Sequence, residues 1–198
     1  MNFLAFVDLH DNKKALKELI SRAGKNDVDF MVCAGDLSNF GRGLIDVLEA
    51  FKKIGKKLYL IPGNHEESKD FNEILQHFPL CENIHRKALI IDNHIFLGYG
   101  GDGFSQEDPE FRKIAREWYG THKGKKIVLI THGPPFGTKM DWFSERFVGN
   151  KDYRNFIERI HPQIVICGHL HENAGVVDNL GETKLVNPGW EGMVIGLK

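Results

Sequence analysis

The chain is poor in cysteine, with only Cys33, Cys81 and Cys167, an odd number without paired spacing. Disulfide frameworks and thiolate zinc sites need a regular set of thiols, so neither is expected. Cys33 and Cys167 lie inside apolar runs and read as free buried thiols of a protein in a reducing cytoplasm. No apolar run approaches the roughly 20 residues that cross a bilayer, so no membrane partner is expected. Met1–Asp8 lacks a basic region ahead of its short apolar run, and it reads as a first strand rather than a signal peptide. Neither sign of charge dominates: 26 basic against 27 acidic side chains give a net charge of −1. That balance argues against a broad basic face for a nucleic-acid polymer and leaves at most a local patch. Repeats, low-complexity tracts and linker-like shifts are absent as well. With 198 residues, 41% of them hydrophobic, the expectation is one domain spanning residues 1–198 around a sizeable core.

What the chain has in quantity is histidine, ten in all, and five of these fall where an apolar run stops. Asn2–Val7, Val28–Ala34 and Lys57–Ile61 read as buried strands. Helical stripes separate and follow them: Ala15, Leu16, Leu19, Ile20 and Ala23; then Leu44, Ile45, Leu48, Phe51 and Ile54; then Phe71, Ile74, Leu75 and Phe78. This alternation predicts a largely parallel sheet with right-handed crossovers. Lys87–Ile91 and His94–Tyr99 form a hairpin across Asp92-Asn93. Asp108-Pro109-Glu110 opens a helix with stripe Phe111, Ile114, Ala115, Trp118 and Tyr119. Strand Lys126–Ile130, a helix bearing Tyr153, Phe156, Ile157 and Ile160, and strand Gln163–Cys167 follow. Ala174–Val177, Thr183–Val186 and Met193–Leu197 read as a closing antiparallel meander.

Five loops after strands carry donor side chains: Asp8-Leu-His10, Gly35-Asp36, Gly63-Asn64-His65-Glu66, Thr131-His132-Gly133 and Gly168-His169-Leu-His171. Open α/β sheets build sites where strands present their carboxyl ends, so these loops are expected to converge. Each motif alone is a common polar turn; five in series are not. Asp8, His10, Asp36, Asn64, His132, His169 and His171 offer carboxylate, imidazole and amide donors without a thiolate. Such a set suits intermediate divalent metals, manganese first, with iron, zinc, cobalt or nickel as alternatives. Seven donors exceed what one ion can take while holding water and substrate. Two ions sharing Asp36 fit the inventory and would suit phosphoryl chemistry.

The motif set resembles that of the calcineurin-like metallophosphoesterase superfamily, from Phe3 to Gly189. Thr131-His-Gly-Pro-Pro, Cys167-Gly-His-Leu-His-Glu and Val186-Asn-Pro-Gly are most similar to its small branch related to class III cyclic-nucleotide phosphodiesterases. The resemblance implies an α/β fold, a four-layer α/β/β/α sandwich of two mixed β-sheets. It implies one metal on Asp8, His10, Asp36 and His171, and another on Asp36, Asn64, His132 and His169. Asp36 would then be the shared, catalytic bridge, and a metal-bridging hydroxide would attack phosphorus. His65 would be the non-ligand histidine that assists the leaving oxygen. Many relatives place a carboxylate three residues after the bridging Asp to orient that histidine. This chain has Asn39, whose amide can accept an imidazole N–H but supports an imidazolium less.

The implied activity is a dinuclear metal-dependent phosphoesterase, a phosphodiesterase more than a phosphomonoesterase, acting on a small molecule or a nucleotide. A metal-dependent nuclease and a non-catalytic binding module on the same fold are the alternatives; intact ligands argue against the second, and oligomeric state is left open. Gly98–Gly103 matches a dinucleotide-binding spacing, but no helix opens there, so a glycine-rich turn close to the site is expected instead. Trp142, Phe143 and Phe147 could line a lid, stack a nucleobase or pack under a long loop. Trp190 is equally open. Glu66 either orients Asn64 or His65 or starts the next helix. His77, His85, His94, His122 and His161 read as surface or capping residues.

Overall fold

The computed structural model describes residues 1–66, 70–101 and 103–198. In chain order the elements are β1 (Asn2–Phe6), α1 (Lys13–Ala23), β2 (Phe30–Cys33), α2 (Leu44–Lys52), β3 (Leu58–Leu60), α3 (Asp70–Leu75), β4 (Cys81–Asn83), β5 (Lys87–Ile91) and β6 (His94–Tyr99). They continue with α4 (Pro109–His122), β7 (Lys126–Thr131), β8 (Trp142–Phe143), β9 (Arg146–Phe147), α5 (Lys151–Ile160), β10 (Ile164–Ile166), β11 (Val177–Leu180), β12 (Thr183–Val186) and β13 (Met193–Gly196). Helix starts follow local chemistry. The side chain of Asn12 accepts the Ala15 N–H at the head of α1, and Asp108 accepts the Phe111 N–H ahead of Pro109 in α4.

Apart from β8 and β9, which pair with each other, the strands form two mixed sheets. One runs β13-β1-β2-β3-β4, parallel except for β13; the other runs β11-β12-β10-β7-β6-β5, parallel except for its two edges. Side chains alternate across each strand. Phe3, Ala5 and Val7, with Phe30 and Val32, therefore meet Phe96, Val128, Ile130 and Ile166 of the other sheet in a shared core. Leu4, Phe6, Met31 and Cys33 point the opposite way, onto α1, α2 and α3. Ile127, Leu129, Val165 and Cys167 do the same beneath α4 and α5, against Phe111, Trp118 and Phe156. Strands buried on both faces explain the near-continuous apolar runs. The result is the expected α/β/β/α sandwich, and Cys33 and Cys167 are free and buried.

Several expectations are corrected. The last three strands are no meander: β11 and β12 are an antiparallel pair on the second sheet, whereas β13 crosses to pair with β1. Val177 opens the β11 strand instead of closing one, since residues 171–173 form a short 3₁₀ turn first. Ile45 is exposed, not part of the α2 stripe, which uses Val47 in its place. His94 and His122 are buried, the first at the start of a central strand and the second at the end of α4. Two strand pairings were not anticipated, the short edge strand β4 and the two-residue arms β8 and β9.

Candidate metal centre

The five loops meet at one edge shared by both sheets. Asp8 and His10 follow β1, Asp36 follows β2, and Asn64 with His65 follows β3, all from the first sheet. His132 follows β7, and His169 with His171 follows β10, from the second. Left-handed backbone is concentrated here. Asp8, His10, Asp36 and His169 all have φ between 45° and 71°, a conformation costing non-glycine residues roughly 1–2 kcal/mol each. Unfavourable local geometry retained at several donor residues is typical of a functional site.

Close approach depends on two glycines. Gly35 has φ of 105°, and a Cβ there would strike His132 Nδ1 and the Gly63 backbone. At Gly63 φ is not left-handed; a Cβ would instead occupy the place of the Asp36 carboxylate. Glu66 secures the same junction. Its buried carboxylate accepts the Ser38 N–H and O–H at 2.8 Å each and the Gly63 N–H at 3.1 Å. It thus ties the loop after β2 to the loop after β3, a role neither sequence alternative described.

Asp36 is the hub. Its Oδ1 accepts the His65 N–H at 3.0 Å, and its Oδ2 lies 3.5 Å from the Nε2 atoms of both His10 and His132 and 3.9 Å from that of His65. Asp8 Oδ2 accepts the His169 N–H at 2.9 Å, while Asp8 Oδ1 is buried with no hydrogen-bond partner among the described residues. His10 and His171 bring their Nε2 atoms to 3.0 Å, and Asn64 Oδ1 sits 3.0 Å from His132 Nε2 and 3.2 Å from His169 Nδ1. All seven predicted ligands are therefore brought together with His65. Asp8, Asp36 and His132 are buried, and Asp36 lines a cleft of about 380 Å³ together with His10, His65, His169 and His171.

The buried part of the site holds an ion pair beside a second carboxyl. Burial works against ionised Asp36, but the hydrogen bond and charge of His132 outweigh it and hold the carboxyl at about 2. Burial likewise disfavours the His132 imidazolium, and Asp36 reverses this, raising it to about 9. Burial pushes Asp8 up to about 6. His132 Nδ1 lies 3.0 Å from the Ala34 carbonyl, which suits an Nδ1–H donor and leaves Nε2 aimed at the cluster. Two imidazole nitrogens 3.0 Å apart and a buried carboxylate oxygen without a hydrogen-bond partner among the described residues are donors that a divalent cation would satisfy. Asp8, His10 and His171 form one group of possible ligands, and Asp8, Asp36 and His132 another, each with its atoms within 4.8 Å. The donor set fits a metal.

His65 has a neighbour that sequence reasoning missed. The ring of Phe40 stacks on its imidazole, with centroids 3.9 Å apart and planes 21° from parallel. Asn39 lines the cleft, but His65 Nδ1 is buried without a hydrogen-bond partner among the described residues, so the expected amide contact is not made. Phe40 is itself left-handed, with φ of 53°. An aromatic residue following a polar loop in sequence carries no signal of this kind. The glycine-rich turn does pass close to the site: a Cβ on Gly103 would meet the His169 ring.

The chain matches known proteins along most of its length. A family model described as calcineurin-like phosphoesterase matches residues 1–173. An uncharacterised protein of Methanocaldococcus jannaschii is 31% identical over 201 residues, with 95% of this chain and 88% of that protein covered. The 3′,5′-cyclic adenosine monophosphate phosphodiesterase CpdA of Haemophilus influenzae is 24% identical over 171 residues; 80% of this chain and 60% of that protein are covered. Among solved structures, TT1561 of Thermus thermophilus superposes with a TM-score of 0.76 at 14% identity, covering 96% of this chain and 90% of that one, a likeness of fold alone. The motif loops, the double-sheet sandwich and the clustered donors thus agree with the family match, and the chain belongs to the calcineurin-like phosphoesterase family.

Proposed function

We propose that this protein is a dinuclear metal-dependent phosphoesterase that hydrolyses a phosphodiester of a small molecule or nucleotide. The observation carrying this reading is the convergence of seven donor side chains, Asp8 and Asp36 with five others, with Asp8 Oδ1 left unpartnered among the described residues. Asp8, His10, Asp36 and His171 would hold one ion, and Asp36, Asn64, His132 and His169 the other, manganese being favoured by the mix of oxygen and nitrogen donors. Bound there, two divalent ions supply a water acidic enough to be a nucleophile at neutral pH and positive charge against the phosphoryl oxygens.

The remaining work falls to the chain. Asp36 commits Oδ1 to the His65 N–H, which leaves Oδ2 directed at the imidazoles. Asp8 commits Oδ2 to the His169 N–H, which leaves Oδ1 for a ligand. His65 stands at the cleft, half-buried, where its imidazole can give a proton to the departing oxygen. Phe40 packs against one face of that ring. The diester preference is supported by the relative that is a cyclic-nucleotide phosphodiesterase. The test is a matrix of metals (manganese, iron, zinc, cobalt, nickel) against cyclic nucleotides, acyclic diesters and monoesters, with bound metal counted in parallel. Two ions per chain and diester turnover are expected. Two ions with no cleavage of any phosphoester would overturn the enzymatic reading, and one ion would overturn the dinuclear one.

A further inference from the structure

Next to the proposed metal centre lies a second cavity of about 510 Å³ with a different character. Its walls include Phe104, Pro134, Phe143, Phe147 and Leu170, and its charged side chain is Arg146; among the described residues, no carboxylate lines it. Phe104 and His169 border both this cavity and the metal cleft, so the two are adjacent. Among the described residues, the exposed large aromatics are Phe40, Phe104, Trp142, Phe143 and Phe147. Two of them line the metal cleft or stack on its His65, and the others lie on the β8–β9 hairpin beside it. Leaving rings in water is unfavourable, and a cluster bordering a concave site marks a place for an apolar ligand.

The walls are held in place before any ligand arrives. Asp141, fully buried, accepts the N–H groups of Gly137, Thr138 and Gly149 and so fixes both ends of the loop that carries the hairpin. Asn173, just beyond His171, donates to the carbonyls of Met140 and Trp142. Gln106 Nε2 donates to the Phe147 carbonyl at 3.3 Å. At the hairpin tip Ser144 and Glu145 both have positive φ, 48° and 63°, the pattern of a type I′ turn without the glycine or asparagine it favours. Phe143 and Arg146 pair across that turn and therefore share a face.

The geometry points to this cavity as the subsite for a planar aromatic group of the phosphoester, an aryl ring or a nucleobase, held between Phe104 and the β8–β9 hairpin while the phosphoryl group lies in the metal cleft. The assignment rests on the phosphoesterase reading for what occupies the cleft, but the subsite itself is tested by binding. The volume lies in the range of small-molecule pockets. Ring faces suit stacking on any base or aryl group, and Arg146 adds a cation to the π-system. A sugar phosphate or an alkyl phosphate would leave the cavity unfilled.

The experiment compares non-hydrolysable ligands that share a headgroup. Calorimetry on the full chain loaded with Mn²⁺ should show phenylphosphonate binding about tenfold tighter than methylphosphonate, the order expected for one good aromatic contact. The 5′-phosphonate analogue of AMP compared with that of ribose 5-phosphate asks the same of a nucleobase and separates the two sources of the ring. Phe143→Ala combined with Phe147→Ala should shrink the aromatic preference to about threefold or less. If that variant does not fold, Phe104→Ala on its separate loop reads the same loss. Equal affinities within both pairs, or a preference unchanged by the substitutions, would overturn the subsite. Failure to cleave any phosphoester would count against the phosphoesterase reading alone, because the binding comparison needs no turnover.

Discussion

Phe40 and His65 form the residue pair with the clearest consequence. In this family the histidine is expected to be oriented by a polar neighbour, yet here a ring lies flat against it. Such a contact restricts rotation without setting charge. Phe40→Gly should therefore separate stability from turnover. Removing a bulky residue from φ of 53° relieves strain of roughly 1 kcal/mol, so the thermal midpoint should hold or rise while kcat falls. A parallel loss of both would show that Phe40 is simply part of the packing. His65→Ala should leave the metal count intact and slow esters with poor leaving groups by about a hundredfold, good ones far less. Equal losses across leaving groups would remove the acid role.

Thiol chemistry gives a second prediction at this scale. Burial pushes the Cys81 thiol up to about 11, and Cys33 and Cys167 are fully enclosed, with burial pushing both thiols up. Only the thiolate reacts. Labelling of the native protein should therefore reach Cys81 alone and accelerate about tenfold per pH unit below 11, with the other two reacting only after unfolding. Mass spectrometry of the modified sites checks this, and rapid labelling of Cys33 would contradict the enclosed core.

At the scale of elements, the β8–β9 hairpin is the feature most open to manipulation. Its turn residues, Ser144 and Glu145, adopt left-handed backbone without being glycine or asparagine. Glu145→Gly should stabilise the protein by about 1 kcal/mol, since a type I′ turn favours glycine at its second central position. A lowered midpoint in chemical denaturation would mean that Glu145 contributes a contact outweighing the strain. The hairpin also shows where sequence reading stops. Two-residue strands produce no alternation to detect, and β4 at three residues is scarcely better. By contrast β1, β2, β7 and β10 announce themselves because burial on both faces demands continuous apolar runs, and each ends in the donor residues of the site. Asn12 and Asp108 mark helix starts through chemistry that is local. Phe40 and the destination of β13 depend on contacts between residues far apart in the chain, and nothing nearby encodes them.

Across the whole molecule, the proposed ligands come from both layers: Asp8, His10, Asp36 and Asn64 from loops of the first sheet, His132, His169 and His171 from loops of the second. Metal bound there couples to the packing of one sheet on the other. Loading with Mn²⁺ should raise the thermal midpoint by several degrees, and chelation should reverse it, because a ligand that binds only the folded state stabilises it by mass action. An unchanged midpoint at saturating metal would argue against a site spanning both sheets. The shared core itself is the less forgiving part. Phe96, enclosed between Phe3 and Phe30, should cost about 3–5 kcal/mol as Phe96→Ala.

The crossing of β13 to the first sheet has one more result. Asn2 pairs with Gly196, and the backbones of Met1 and Leu197 are hydrogen-bonded to each other. The path of the polypeptide is thereby almost a closed ring, with its ends side by side and away from the loops that gather the donor residues. Joining those ends with a short peptide and reopening the ring at the exposed Lys123–Lys125 turn, ahead of β7, should yield a circular permutant with the same fold and the same site.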